Sequence, residues 1–119
     1  MSIAFSARAS RKAIWKGVVP QMSWASGASA EKTDSFNAAG VVRNMCVKVS
    51  NATNAITFTL QLRDANGTKL FDQAGIEKNA VTAFVGIEIY FLGTLTVGVT
   101  PSGDPGASGV TVDVTMYGD

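Results

Sequence analysis

The chain has 119 residues, with an apolar fraction of 46% and a charged fraction of 16%, which is low against an average of about 25%. This length predicts one domain that buries a core without disulfides or metals. Because the sequence has no histidine and one cysteine, Cys46, it excludes an internal disulfide, histidine-based catalytic triads and histidine zinc sites. We find no signal peptide and no run long enough to cross a bilayer, so no membrane partner is expected.

Positive charge is concentrated at the start of the chain. Residues 1–30 carry four basic side chains and no acid, for a net charge of +4, whereas residues 31–119 carry six basic and nine acidic side chains, for a net charge of −3. A basic segment on a mildly acidic body is typical of contact with a partner, although an ordinary solvated segment is also compatible with it. Four charges are too few to indicate nucleic acid, so that partner is not expected. The four basic residues are Arg8, Arg11, Lys12 and Lys16.

The first forty residues carry weak patterns. Residues 1–11, rich in Ala and Ser, predict an extended basic arm on a single domain of residues 12–119. A first strand is predicted over Lys12–Val19. Gln21–Gly40 has the small, polar composition of a loop, with a short strand around Lys32–Phe36 or a single helical turn as alternatives. Two aromatic side chains are expected to anchor this loop to the body, those of Trp24 and Phe36.

Strict alternation predicts half-buried strands in the middle of the chain. Gly40–Ser50 is the first, with Met45, Val47 and Val49 on its inner face. The dipeptide Asn66-Gly67 tolerates positive φ and predicts a hairpin between Ile56–Arg63 and Thr68–Gln73. The inner face of the first hairpin strand is expected to be formed by Ile56, Phe58, Leu60 and Leu62.

The last third of the chain predicts further strands. Ala74–Ala80 is expected to be a connection, and Val85–Phe91 a strand that a bend at Gly93 ends. Two alternating runs follow and predict a final antiparallel pair, joined by the long turn Pro101–Gly109, which exceeds the length of a tight hairpin and is a candidate contact loop. With six to eight strands and no helix, the chain is predicted to be all-β, an antiparallel β-sandwich of jelly-roll or immunoglobulin-like type.

No catalytic or metal site is recognisable. Asp64 and Asn66 begin like a calcium loop, but Lys69 and Gly75 stand where that pattern needs Gly and Glu. The glycine-rich turn near the end precedes a strand and contains no lysine, unlike a phosphate-binding loop. Two carboxylates project from predicted strands with no sign that they share a face, those of Glu88 and Asp113. We therefore expect no enzymatic activity, no metal and no cofactor.

The candidate functional residues are surface contacts. Near the start, cationic side chains are interleaved with an aromatic one, and the long turn adds small polar side chains. The candidate partner contacts are Arg8, Arg11, Lys12, Trp15, Lys16, Ser102 and Asp104. A carbohydrate-binding sandwich would instead use exposed aromatic platforms, for which the candidates are Trp15, Trp24, Tyr90 and Tyr117.

Three stretches carry a resemblance: V-R-N-M-C-V-K-V-S-N, T-F-T-L-Q-L-R-D-A-N-G-T-K-L-F and G-T-L-T-V-G-V-T-P-S-G-D-P-G-A-S-G-V-T-V-D-V-T-M-Y. Over residues 40–119 they resemble small virion proteins encoded among the structural genes of tailed bacteriophages. The resemblance implies a capsid decoration or cement protein, made in the host cytoplasm and placed on the capsid surface. It further implies a homo-oligomer that contacts the major capsid protein or other virion subunits, and no catalytic residues.

Two alternatives to a decoration protein stay open. One is a minor head or tail protein of the same kind of particle. The other is a carbohydrate- or cell-surface-binding β-sandwich module.

Overall fold

A computed structural model describes residues 15–119 of the chain. This range contains eight β-strands and no helix, which confirms the all-β prediction. No helix in the described range is long and apolar enough to span a membrane. The predicted arm, residues 1–11, lies outside the described residues. The strands are β1 (Trp15–Val18), β2 (Met22–Trp24), β3 (Lys32–Val49), β4 (Thr57–Arg63), β5 (Lys69–Glu77), β6 (Ala80–Phe84), β7 (Ile89–Pro101) and β8 (Val110–Gly118).

The strands form two layers, and β3 contributes to both. The first layer contains β1 and β2, then β8, the second half of β3, and β6. The second layer contains the first half of β3, then β7, β4 and β5. All pairings are antiparallel, and the register of β3 on β8 shifts between Val42 and Asn44, where β3 passes from one layer to the other.

Ring contacts show that the two layers face each other. Trp24 of the first layer and Phe58 of the second have ring centroids 5.8 Å apart. At the edge formed by β5 and β6, the rings of Phe71 and Phe84 meet edge-on at 5.3 Å. The chain is therefore an antiparallel β-sandwich, as its sequence predicted.

Alternating side chains build the core between the layers. In β4 and β8 every second residue is buried, and the residues between them are half-buried or exposed. Such a period places one face of each strand on the core and the other in solvent. The predicted inner faces of β3 and β4 are confirmed, because they are all buried: Met45, Val47, Val49, Ile56, Phe58, Leu60 and Leu62.

The hairpin between β4 and β5 is also confirmed. Arg63 pairs with Lys69, and Asp64 Oδ1 accepts hydrogen bonds from the backbone N–H groups of Asn66 and Thr68, both at 2.9 Å. Gly67 has a φ of 81°, as the turn requires.

The connection predicted over Ala74–Ala80 is wrong. Register shifts in the β4–β5 pairing let β5 continue to Glu77, and the chain reverses only at Lys78 and Asn79. Asn79 has a φ of 52°, a conformation that asparagine tolerates better than most side chains.

The interpretation of Gln21–Gly40 as a loop is wrong for most of its length. Residues 22–24 form β2, and from Lys32 onward the segment is the first half of β3. Of the two alternatives, the strand around Lys32–Phe36 is therefore correct, although the observed strand is longer. This half of β3 is an edge of the second layer, so few of its side chains enter the core and alternation is weak. Trp24 is nevertheless an anchor: it is 2% exposed, and its indole N–H donates to the carbonyl oxygen of Ala30 at 2.7 Å.

Two predictions about the later strands are corrected. The strand predicted over Val85–Phe91 begins only at Ile89, because residues 85–88 form an irregular link after β6. Gly93 has a φ of 89° but does not end the strand, which continues to Pro101.

The last two strands, β7 and β8, do not form the predicted pair with each other. They lie in opposite layers, and each pairs with β3. Alternation reports which face of a strand is buried, but it does not report the neighbour that the strand takes.

Candidate interaction surface

Trp15 closes one edge of the sandwich. It pairs with Gly118 across β1 and β8, and its indole N–H donates to the carbonyl oxygen of Asp119 at 3.1 Å. Its ring meets Phe91 of the second layer edge-on, with centroids 5.7 Å apart. A Cβ at Gly40 would lie 2.9 Å from the indole nitrogen, so glycine leaves the space that the ring fills. Trp15 therefore packs between the layers with part of its surface exposed.

Lys16 points away from that edge into solvent. Its ammonium group lies 5.9 Å from the ring centroid of Tyr117, the residue opposite it on β8. This distance is at the outer limit of a cation–π contact. Of the predicted basic contacts Lys16 is within the described range, whereas Arg8, Arg11 and Lys12 lie outside it.

Ser102 and Asp104 hold the long turn to its neighbours. Ser102 Oγ accepts a hydrogen bond from the backbone N–H of Thr57 at 3.0 Å. Asp104 Oδ1 accepts from the N–H groups of Gly106 and Gly27, both at 2.8 Å. These two bonds, that of Gly106 first, lower the pKa of Asp104. Both side chains thus fix the turn, and their role as partner contacts stays a prediction.

The two carboxylates considered in the sequence, those of Glu88 and Asp113, each contact a neighbouring side chain. Glu88 is paired with Arg43 at 2.7 Å, and Arg43 Nε also donates to Asp119 at 3.1 Å. The hydrogen bonds to Glu88 and then to Asp119 raise the pKa of Arg43. Asp113, by contrast, accepts hydrogen bonds from the side-chain amide of Gln21. Among residues 15–119, no three His, Cys, Asp or Glu side chains are grouped so that they could hold a metal ion.

The outer face of the first layer exposes apolar side chains. Val18 lies opposite Thr115, Thr115 opposite Cys46, and Cys46 opposite Ala83, so these residues form one row across four strands. Val81 is 61% exposed, and Val85, directly after β6, is 74% exposed. We call this surface the apolar face, and it comprises Val18, Cys46, Val81, Ala83, Val85 and Tyr117. Three charged residues, Lys16, Lys48 and Asp113, project from the same side of the layer.

Two further exposed apolar residues lie where β3 and β7 turn between the layers. Tyr90 pairs with Val41 and is 64% exposed, while Leu92 pairs with Ala39 and is 81% exposed. They extend the apolar surface beyond the first layer. Sequence reasoning named Tyr90 and Tyr117 as candidate exposed aromatics, and both are exposed. It missed the valines and Leu92, because a valine or leucine on the outer face of a strand has no signature that separates it from one in the core.

The outer face of the second layer is polar. Apart from Tyr90 and Leu92 at the end where β3 crosses between the layers, it presents hydroxyl, amide and guanidinium groups, and no other large exposed apolar side chain of the described range lies there. Ser35 and Thr96 share a hydrogen bond of 3.1 Å across β3 and β7, and Arg63 forms an ion pair with Glu31 above Gly98. The two outer faces of the sandwich therefore differ in chemistry. Apolar residues scattered singly over a surface are normal and need no explanation, but they would not produce such a difference between the faces.

No protein-family model and no curated protein matches the chain. Among solved structures it is similar to the VP2 subviral particle of infectious bursal disease virus, with 13% identity over 98% of this chain and 36% of that chain, at a TM-score of 0.49. The chain thus spans about a third of the length of that capsid protein.

Carbohydrate-binding modules are similar to the same degree. TmCBM61, in complex with beta-1,4-galactotriose, has 16% identity over 83% of this chain and 65% of that chain, at a TM-score of 0.46. The C-terminal CBM6 of LamC from Zobellia galactanivorans has 12% identity over 90% of this chain and 100% of that chain, at a TM-score of 0.47. These likenesses concern the β-sandwich fold and do not choose between a capsid role and carbohydrate binding.

Proposed function

We propose that the chain is a non-enzymatic structural protein of a bacteriophage particle, a capsid decoration protein that docks on other virion subunits through its apolar face. The observation that carries the proposal is the contrast between the two outer faces. The first layer leaves Val18, Val81 and Val85 exposed, whereas β4 and β5 of the second layer expose no large apolar side chain. Exposed apolar patches of this kind mark surfaces that another protein covers.

The sequence supports the same role. Residues 40–119 resemble small virion proteins of tailed phages, and the low charged fraction suits a protein with a covered surface. Repeated contacts in a symmetric particle add up, so a small apolar face suffices at each copy. The occupant we propose is the major capsid protein, with an apolar patch of its own facing Val81 and Val85.

A substitution on the apolar face tests this role. We expect Val81→Lys to weaken attachment to capsids that lack the protein by about tenfold or more, because a lysine on a covered apolar surface must be desolvated without a partner. Attachment is measured by co-sedimentation of purified protein with such capsids. The matched control is Thr57→Lys, an exposed strand position on the polar face.

Equal attachment of wild type, Val81→Lys and Thr57→Lys would overturn the role of the apolar face. Binding to a glycan array that Tyr90→Ala abolishes, with no attachment to capsids, would replace the proposal by the carbohydrate-binding alternative. Tyr90 is the relevant probe because Trp24 is buried and Trp15 is largely engaged within the fold.

A further inference from the structure

The first half of β3 has one unpaired side. Along Lys32–Gly40, β3 pairs with β7 on one side, and no strand of residues 15–119 pairs with its other side, which we call the free edge. The register with β7 is continuous from Lys32 to Val42, so this part of β3 contains no bulge. The free edge ends at Gly40, because the next residue, Val41, exchanges backbone hydrogen bonds with Asp119.

The hydrogen bonds of Val41 show which backbone groups face the free edge. In an antiparallel strand the N–H and C=O groups of one residue point to the same side, and successive residues alternate between the two sides. Both groups of Val41 bond to Asp119, away from β7. Because the register is unbroken, every second residue before Val41 also directs its backbone groups to the free edge, namely Thr33, Ser35, Asn37 and Ala39. These groups form no hydrogen bond with any residue from 15 to 119.

The other strand edges formed by residues 15–119 carry features that hinder pairing with a further strand. β5, at the opposite edge of the second layer, has two register shifts against β4. In the first layer, β6 has five residues, and β1 and β2 have four and three, with Pro20 between them. The free edge of β3 is longer than these three strands and has no proline and no bulge. Its charged residues, Lys32 and Asp34, are confined to one end.

A second copy of the chain offers the same unhindered edge, so two copies can pair about a two-fold axis. The symmetric register that uses all of Lys32–Gly40 places Phe36 of one copy opposite Phe36 of the other. Ser35 then lies opposite Asn37 of the second copy, so the backbone groups on the two free edges meet. Such a pairing forms about eight hydrogen bonds, which is within the usual range for a protein–protein interface.

Phe36 is suited to the centre of this pairing. It lies opposite Leu95, a core residue of β7, so its ring is on the inner side of the layer. The ring is half-buried and borders a cavity of about 290 Å³ that Trp15 and Gly17 also line. The ring of the second copy would cover the exposed part of Phe36, and aromatic pairs across two strands stabilise a sheet.

The position of Asp34 disfavours another symmetric register. With the two-fold axis at residue 34, Asp34 would lie opposite Asp34 of the second copy, and like charges directly opposite each other are destabilising. With the axis at Phe36, Asp34 lies opposite residue 38, which is uncharged. Any other axis also shortens the paired segment. Both the length of the free edge and its charges therefore favour the register centred on Phe36.

We propose that two copies of the chain pair antiparallel through the free edges of β3, centred on Phe36, and form a closed dimer with a continuous second layer. Because the other edges are hindered, the pairing ends at two copies and does not continue into a filament. The contact is on an edge of the sandwich, whereas the apolar face is on the outer side of the first layer. This inference goes beyond the proposed function and does not depend on it.

Sedimentation velocity of the full-length chain over a range of concentrations tests the dimer. We expect wild type to dimerise, and Phe36→Lys to raise the dissociation constant about tenfold or more, because it places two lysines directly opposite each other. The matched control is Phe71→Lys, the same change at a half-buried phenylalanine on the opposite edge of the second layer, which should leave the constant unchanged. Circular dichroism establishes that each variant is folded.

A second variant tests the backbone pairing without a change of charge. The N–H group of Ser35 faces the free edge, so Ser35→Pro removes a donor that a single copy does not use within residues 15–119. Proline is tolerated at such edge positions, where the missing N–H would face solvent. We therefore expect Ser35→Pro to be folded and monomeric.

Disulfide formation between two differently tagged copies reports the register. Both copies carry Cys46→Ala, one also carries Ser35→Cys, and the other carries Asn37→Cys. These two positions are directly opposite each other in the proposed dimer, so oxidation should link them. Two copies that both carry Ser35→Cys should link less, because their cysteines are diagonal neighbours and exceed the distance that a disulfide spans.

A wild type that stays monomeric over the whole concentration range, or a dimer that persists in both Phe36→Lys and Ser35→Pro, would refute pairing through this edge. Species that keep growing with concentration would refute the closed two-fold contact, and equal disulfide yields for the two cysteine combinations would refute the register. Because the dimer is measured without capsids, its absence would leave the proposed function standing if Val81→Lys still weakens capsid attachment.

Discussion

Gly40 is the residue whose substitution reports most directly on how β3 crosses between the layers. A Cβ at this position would lie 2.7 Å from the carbonyl oxygen of Asp119 and 2.9 Å from the indole nitrogen of Trp15. The first obstacle is backbone and the second is a ring held between the layers, so neither moves aside without loss. We therefore expect Gly40→Ala to destabilise the fold by about 1–3 kcal/mol, as overpacking does.

The measurement is thermal unfolding followed by circular dichroism at constant pH and protein concentration. For a chain of this size, the expected loss lowers the melting temperature by roughly 3–12 °C. Gly103→Ala is the matched control, because a Cβ there would meet only Ile56 Cγ2, at 4.0 Å. This control should be neutral or stabilise by about 0.4–1 kcal/mol, since alanine restricts the unfolded chain.

The cause of the lost stability is tested by making the same substitution in a second variant. If the indole is part of the obstacle, Gly40→Ala should cost less in a Trp15→Phe background, with a coupling of about 0.5 kcal/mol or more. A Gly40→Ala variant that melts at or above the temperature of Gly103→Ala would refute the reasoning, because it would show that the crossing has room for a methyl group.

Two further predictions concern the turn and the core. Because its bonds to Gly106 and Gly27 lower the pKa of Asp104, this residue stabilises the fold above its unfolded pKa, and that contribution is lost as pH falls from about 4 through the lowered value. Urea unfolding across this range should show a steeper loss for wild type than for Asp104→Asn, and parallel curves would contradict the assignment. Leu62→Ala, in the core, should destabilise by about 2–5 kcal/mol in urea unfolding, whereas Leu92→Ala, on an exposed leucine, should change stability by less than about 0.5 kcal/mol. Similar losses for both leucines would contradict the placement of the core.

The strands that could be predicted are those whose pattern reports burial. Ile56–Arg63 alternates strictly because one face of β4 lies on the core, and Asn66-Gly67 specifies the following turn through backbone conformation alone. Both signals are local, so they can be recognised without knowledge of the partner strand.

The features that were missed depend on distant parts of the chain. The first half of β3 has few apolar side chains, Phe36 among them, so the sequence offered only a short strand around Lys32–Phe36, and the full length of the strand depends on its pairing with β7. The assignment of β7 and β8 to opposite layers likewise depends on β3 lying between them in the pairing order.

The exposed valines of the candidate surface could not be predicted from the sequence for a related reason. Val81 and Val85 have the same residue type as core valines, and their exposure follows from the position of β6 at the outer edge of the first layer. Trp15 was predicted as a partner contact, and that role stays a prediction, whereas its packing against Phe91 could not be predicted because it requires the second layer to be in place.

Because β3 serves both layers, the order in which the chain leaves the ribosome constrains its folding. The strands β1 and β2 find their partner only when residues 110–118 have been made. Until then the second layer can assemble from β3, β4, β5 and β7, but its apolar inner face has no complete counterpart. Such a partly built sandwich exposes strand edges and core side chains, which makes it slow to mature and prone to aggregate. A ribosome-stalled chain that ends before Val110 should therefore be readily cleaved by protease over residues 15–24, and the same region should become resistant once β8 has emerged.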